Sequence, residues 1–142
     1  MVFKKNGYRG YIGSRPYEGS RVPQHVQNLV IRDFCSRNNF KFLLSLTEHT
    51  MPNCFMQMNS LVEEAPRLEG IVLYSIFMLP TNIQKRMELC EKFLNSNCTI
   101  HGAVENISIL KKEDFEKNES LLKINDLVYF SDLNQVEKYP YD

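Results

Sequence analysis

Ile71-Val72-Leu73-Tyr74 is a continuous apolar run, opened by Glu69-Gly70 and followed by Ser75-Ile76-Phe77-Met78-Leu79-Pro80. A strand with one wet face alternates apolar and polar residues. A run that is apolar throughout suits a strand buried on both faces, as in a parallel sheet covered by helices. Working outward, three more strand-like runs stand at residues 7–12, 40–46 and 99–104. Each of the four leads into a polar, loop-like segment, at residues 13–20, 48–53, 75–80 and 105–106. Gly10 and Gly13 in the first run permit close backbone approach.

Helical spacing fills the intervals. Val22, Val26, Leu29, Val30 and Phe34 form one apolar stripe, opposite Arg21, Gln24, Asn28 and Arg32. Ser20 is the expected N-cap, with Pro23 in the first turn and Asn38-Asn39 at the end. Phe55, Met58, Leu61 and Val62 mark a second helix, and residues 82–95 a third. Strands that alternate with helices imply right-handed crossovers. The expected architecture is α/β: three layers, a mostly parallel four- to five-stranded sheet, first and third strands adjacent, helices on both faces. Residues 1–110 make this domain. Residues 111–142, with a charged helix at 111–123 and a short candidate strand at 127–130, form an extension packed on it.

The chain has 142 residues, enough for one domain with a sizeable core. Its 43% hydrophobic and 24% charged residues are ordinary for a globular protein. Lysine plus arginine is 17 and aspartate plus glutamate is 17, so no global field attracts nucleic acid, which is not an expected partner. Residues 1–25 nevertheless carry Lys4, Lys5, Arg9, Arg15 and Arg21 against Glu18 alone, a local cationic entrance or a solvated face. Cys35, Cys54, Cys90 and Cys98 show no C-x-x-C spacing and do not cluster with His25, His49 or His101. Reduced thiols, no secretory apolar segment and no long apolar run point to a cytoplasmic protein without a membrane partner or a metal.

In a parallel sheet the segments after the strands share one edge, and that edge is where such folds bind ligands. Ser14, Arg15, Glu48, His49, Ser75 and Glu105 are therefore expected neighbours. Arg15 and Arg21 flank the start of the first helix, a place suited to a phosphate or carboxylate, unless they pair with Glu18 or Asp33. Gln24, Gln27 and Asn28 suit sugar hydroxyls, or simply form a polar helix face. His25, Glu48 and Glu105 are the candidates for acid/base work; the plainer reading has His25 satisfy a loop carbonyl and the two carboxylates cap loops. Ser75 is either a ligand contact or a small residue in a tight turn. His101, inside a strand, reads as a satisfied core histidine. Met51, Met56, Met58 and Met78 read as packing. No phosphate loop, dinucleotide fingerprint or metal motif is present, so no cofactor is expected.

Over about the first 110 residues the chain resembles the catalytic domain of serine recombinases. The resemblance rests on Tyr11-Ile12-Gly13-Ser14-Arg15, on Gln27-Asn28-Leu29-Val30-Ile31-Arg32-Asp33-Phe34-Cys35 and on Leu73-Tyr74-Ser75-Ile76-Phe77-Met78-Leu79-Pro80-Thr81. It implies a resolvase-like fold. The family's cleaving residues are replaced: Arg15 stands at the nucleophile position, Gly13 at a neighbouring arginine, and Phe77, Met78 and Thr81 at an aspartate and two arginines. Without those arginines, strand cleavage loses its electrostatic stabilisation.

Over nearly the whole chain the sequence also resembles the sporadic carbohydrate cluster protein family of bacterial surface-glycan gene clusters. That resemblance rests on Gly10-Tyr11-Ile12-Gly13-Ser14-Arg15-Pro16, Arg21-Val22-Pro23-Gln24-His25-Val26-Gln27-Asn28 and Tyr74-Ser75-Ile76-Phe77-Met78-Leu79-Pro80. It implies a role in surface carbohydrate biosynthesis and no particular reaction. Three functions are compatible with these observations. One is an accessory protein or enzyme of that pathway, binding a sugar, sugar phosphate or other small anion at the strand ends. Another is a non-catalytic module for other biosynthetic enzymes or for a second copy of itself. The third is a degenerate DNA-binding recombinase domain.

Overall fold

Residues 4–13, 22–48 and 55–122 are described by a computed structural model. Among them are the strands β1 (Tyr8–Gly13), β2 (Phe42–Glu48), β3 (Gly70–Leu73), β4 (Thr99–Gly102) and β5 (Ile107–Ile109). They form one sheet in the order β2-β1-β3-β4-β5. The first four are mutually parallel, and β5 runs antiparallel to β4. The Ile71 run thus lies in the middle, between β1 and β4, with every residue of β3 buried. The adjacency of the first and third strands is as the sequence predicts.

The helices are α1 (Gln24–Arg37), α2 (Met56–Glu64) and α3 (Ile83–Asn95), and residues 112–122 are also helical. Two neighbours in β1 show how they are layered. Arg9 bonds Glu64 of α2 at 2.6 Å. Gly10 faces Ser45, whose hydroxyl donates to Asn28 of α1 at 2.6 Å. Successive strand residues point to opposite faces, so α1 and α2 cover opposite sides of the sheet. A Cβ on Gly10 would lie 2.1 Å from the Ser45 oxygen, so only glycine permits this approach. Ile31, Phe34, Leu61, Ile71, Leu73 and Phe93 are among the buried side chains that join the layers. Asn39 and Asn97, both at φ 57°, end α1 and α3 in the left-handed conformation that asparagine tolerates.

Several boundaries differ from the sequence reading. The first helix begins at Gln24, with Pro23 as its N-cap rather than inside its first turn. The Pro23 carbonyl accepts from the amides of Val26 and Gln27, a start that needs no hydroxyl cap. The second strand, which as an apolar run at residues 40–46 reads as buried, runs from Phe42 to Glu48 and is an edge strand of the described sheet; Leu44 is 79% exposed. Phe40 precedes the strand and stacks on Tyr8, ring centroids 3.9 Å apart. The fourth strand stops at Gly102, and Glu105 lies in the turn to β5. That fifth strand escaped the pattern because three residues carry no readable period. The candidate strand at 127–130 lies outside the described residues.

Candidate functional site

Gly13, Glu48, Tyr74-Ser75 and Ala103 stand at the C-terminal ends of the parallel strands, so the predicted edge exists as a place. Among the described residues there, Glu48, Ser75, Glu105 and Gln27 have defined partners. Glu48 ends β2 and is fully buried. Its carboxylate accepts from the Tyr11 hydroxyl at 2.9 Å, from the Gln57 amide at 3.1 Å and from the Met58 amide at 3.2 Å. The negative group therefore meets the positive end of α2 and satisfies amides that the helix itself cannot pair.

Glu105 and Ser75 meet in a second cluster. The Ser75 hydroxyl donates to Glu105 at 2.7 Å, and the other Glu105 oxygen accepts from the Ile76 amide, also at 2.7 Å. Ser75 is fully buried and accepts from the Phe77 amide at 3.2 Å, capping a single 3-10 turn at Ile76–Met78. The sequence placed Glu48 in a loop and Glu105 at a strand end. The structure makes Glu48 the last strand residue and Glu105 a turn residue, and binds both to backbone amides.

Gln27 is buried at the start of α1. Its Nε2 donates to the carbonyls of Gly13 and Val22, both at 2.8 Å, and its Oε1 accepts from the Gly13 amide at 3.0 Å. Asn28, on the same helix as Gln27, accepts from the Ser45 hydroxyl of β2. Gln24 and His25 are exposed on the first turn. Ser14, Arg15, Arg21 and His49 lie outside the described residues. The structure thus brings Gln27 to the end of β1, Glu48 to the start of α2, and Ser75 together with Glu105.

The middle of this edge is apolar. The Met78 methyl lies 3.1 Å from where a Cβ on Gly13 would stand, and Met78 is 7% exposed. Phe77 is half-buried beside it. A thioether and an aromatic ring neither neutralise a phosphate nor move a proton.

One further histidine and three thiols are structural. His101 is buried among Tyr8, Phe34 and Phe40. Its Nε2 lies 2.8 Å from the Thr99 oxygen, and its Nδ1 2.8 Å from that of Ser108. Burial pulls its pKa down from 6.5 to about 4, so the ring is neutral at physiological pH. Burial likewise pushes the thiols of Cys35 up to about 11, and of Cys90 and Cys98 up to about 12, which leaves them unreactive. Among the described residues no group of three His, Cys, Asp or Glu side chains is arranged to hold a metal ion. No described helix is long and apolar enough to cross a membrane.

Sequence reasoning missed Tyr11 and Arg86. A tyrosine in a buried strand needs a partner for its hydroxyl, and that was the available signal for Tyr11. Arg86 stands at helical spacing from Leu89, Cys90 and Phe93, hence on the buried face of α3. It is 2% exposed, donates to the carbonyls of Pro80 at 2.9 Å and Thr81 at 3.2 Å, and forks onto Glu119 of the C-terminal helical segment.

The fold matches solved structures at low sequence identity. The N-terminal catalytic domain of TP901-1 integrase superposes with a TM-score of 0.59 at 12% identity, covering 92% of this chain and 99% of that one. A resolvase family site-specific recombinase from Streptococcus pneumoniae gives 0.57 at 10% identity, covering 92% and 91%. The chain therefore has a resolvase-like α/β fold. No protein-family model and no curated protein matches it.

Proposed function

We propose that this chain is a cytoplasmic resolvase-fold binding protein of bacterial surface carbohydrate biosynthesis, which takes a sugar or sugar phosphate at the C-terminal edge of its sheet and does not cut DNA. The observation that carries this reading is the bonding of the edge. Glu48 and Glu105 cap backbone amides, Gln27 holds Gly13 and Val22, and Met78 packs over the end of β1. Carboxylates bound in this way are poorly placed to exchange protons with a substrate. Gln24 and His25 are exposed where the 14–21 segment, with Arg15 and Arg21, rejoins α1. This supports recognition by hydrogen bonds and charge rather than bond cleavage. The likeness to recombinases supports the backbone alone; the carbohydrate pathway rests on the motif resemblance around Arg15 and Tyr74.

The test is a thermal-shift and calorimetric screen against sugar nucleotides, sugar 1-phosphates and inorganic phosphate. Saturable stabilisation is expected from at least one sugar phosphate. Arg15→Ala should weaken it about ten- to a hundredfold, the value of one charge-assisted contact. No response to any member of the panel would remove the binding reading. Nicking of a supercoiled plasmid with a covalent serine adduct would restore the recombinase one.

A second reading is a non-catalytic module that docks other glycan enzymes or a second copy. Leu44 on the edge strand β2 and Leu29 on α1, 79% and 62% exposed, favour it. Light scattering of the purified protein and of Leu44→Lys distinguishes self-association from a monomer.

A further inference from the structure

At the opposite, N-terminal end of the sheet, we infer a monovalent-cation site that the chain fills with the ammonium group of Lys5. The Lys5 Nζ lies 2.8 Å from the Leu68 carbonyl, 2.9 Å from that of Ser96, 3.3 Å from that of Pro66 and 3.5 Å from that of Ala65. An ammonium has three N–H donors. Two make the short bonds, and the third is shared between the two longer ones.

The four carbonyls come from two places far apart in the chain. Ala65 and Pro66 belong to the 3-10 turn Ala65–Arg67 that follows α2, and Leu68 is that turn's C-cap. Ser96 is the C-cap of α3. Carbonyls at helix C-termini lack helical partners and carry the negative end of the dipole. Bringing two such ends together sets four carbonyl oxygens around one point, where they repel unless a positive charge stands between them. Rings of backbone carbonyls are also how proteins replace the hydration shell of potassium.

The surrounding backbone is already paired without the lysine. The Asn6 amide donates to Arg67 at 2.8 Å, the Glu69 amide to Gly7 at 2.9 Å, and the Thr99 amide to Glu69 at 3.1 Å. The joint between the N-terminal segment, β3 and β4 is thus built by the main chain. The Ala65 carbonyl, the most distant of the four from Lys5, also accepts from the Leu68 amide at 3.1 Å, so the cation serves chiefly the carbonyls of Leu68 and Ser96. Nothing in this geometry requires the cation to be tethered. With the side chain removed, a free ammonium or potassium ion should take the site.

The experiment measures melting of the wild type and Lys5→Ala at equal ionic strength in tetramethylammonium, ammonium and potassium chloride. Tetramethylammonium is too bulky for the cage and has no N–H. Lys5→Ala should melt at least about 5 °C below the wild type in tetramethylammonium chloride. Most of that gap should close in ammonium or potassium chloride. The inference is overturned if Lys5→Ala melts with the wild type, or if the gap is the same in all three salts. Should Lys5→Ala not fold in tetramethylammonium chloride, recovery of native far-ultraviolet dichroism on adding ammonium chloride supports the site, and failure to recover refutes it.

Discussion

The side-chain amide of Gln27 and the backbone of Gly13 bind each other in both directions: the amide accepts from the Gly13 N–H at 3.0 Å and donates to its carbonyl at 2.8 Å. The same Nε2 donates to the Val22 carbonyl at 2.8 Å. Gly13 and Val22 flank residues 14–21, so one buried side chain ties the end of β1 to the start of α1.

Gln27→Glu keeps the shape of that clamp and removes its donors. The carboxylate would face two carbonyls, and stability should fall by about 3 kcal/mol at pH 8 in urea denaturation. A carboxyl that is favoured neutral in the fold has a raised folded pKa. Its penalty is absent below the unfolded pKa and grows as pH rises, so the variant should approach the wild type near pH 4. A loss that does not change with pH would mean the donor role has been misassigned.

Glu48 and Tyr11 form a coupled pair. Tyr11→Phe removes one of the hydrogen bonds to the carboxylate and should cost about 1 kcal/mol. Glu48→Ala removes the acceptor shared by the Tyr11 hydroxyl and the amides of Gln57 and Met58, and should cost about 3 kcal/mol. The double variant should be more stable than the sum predicts, because both changes remove the same bond. Strict additivity in a denaturation cycle would contradict the geometry.

Removing Glu119 leaves Arg86 buried without its carboxylate. Glu119→Ala should destabilise by about 3–5 kcal/mol, whereas Arg86→Met with Glu119→Leu should lie much closer to the wild type. Thermal melting of both variants tests this. A mild effect of Glu119→Ala would show that the helical segment at 112–122 is anchored by Phe115 and Leu122 instead.

His101 sets an acid limit on stability. Its pKa falls from 6.5 to about 4 in the fold, so the unfolded chain takes up the proton first. Stability from this group is complete above about pH 6.5, declines as pH falls towards 4, and levels off below that. The decline attributable to it is on the order of 3 kcal/mol. Unfolding free energies from pH 7 to 4, compared with His101→Gln, should show a flatter slope in the variant. Equal slopes would remove His101 as the cause.

Much of the architecture is written locally. The unbroken apolar run at residues 71–74 implies a strand covered on both faces, and helical spacing after it implies a parallel crossover; burial leaves its period in nearby residues. The sequence could also say that Glu48, Ser75 and Glu105 belong to one edge, because chain direction in a parallel sheet dictates that. It could not say what they touch there. Ser75 meets Glu105 across 30 residues, Tyr11 meets Glu48 across 37 and Lys5 meets Ser96 across 91. Nor could the apolar face of α3 disclose that Arg86 would lie on it with its charge matched by Glu119. Periodicity reports which side of an element leaves water. The partner waiting there is chosen only when distant segments close on one another, and that choice turns carboxylates available for chemistry into caps for a helix and a turn.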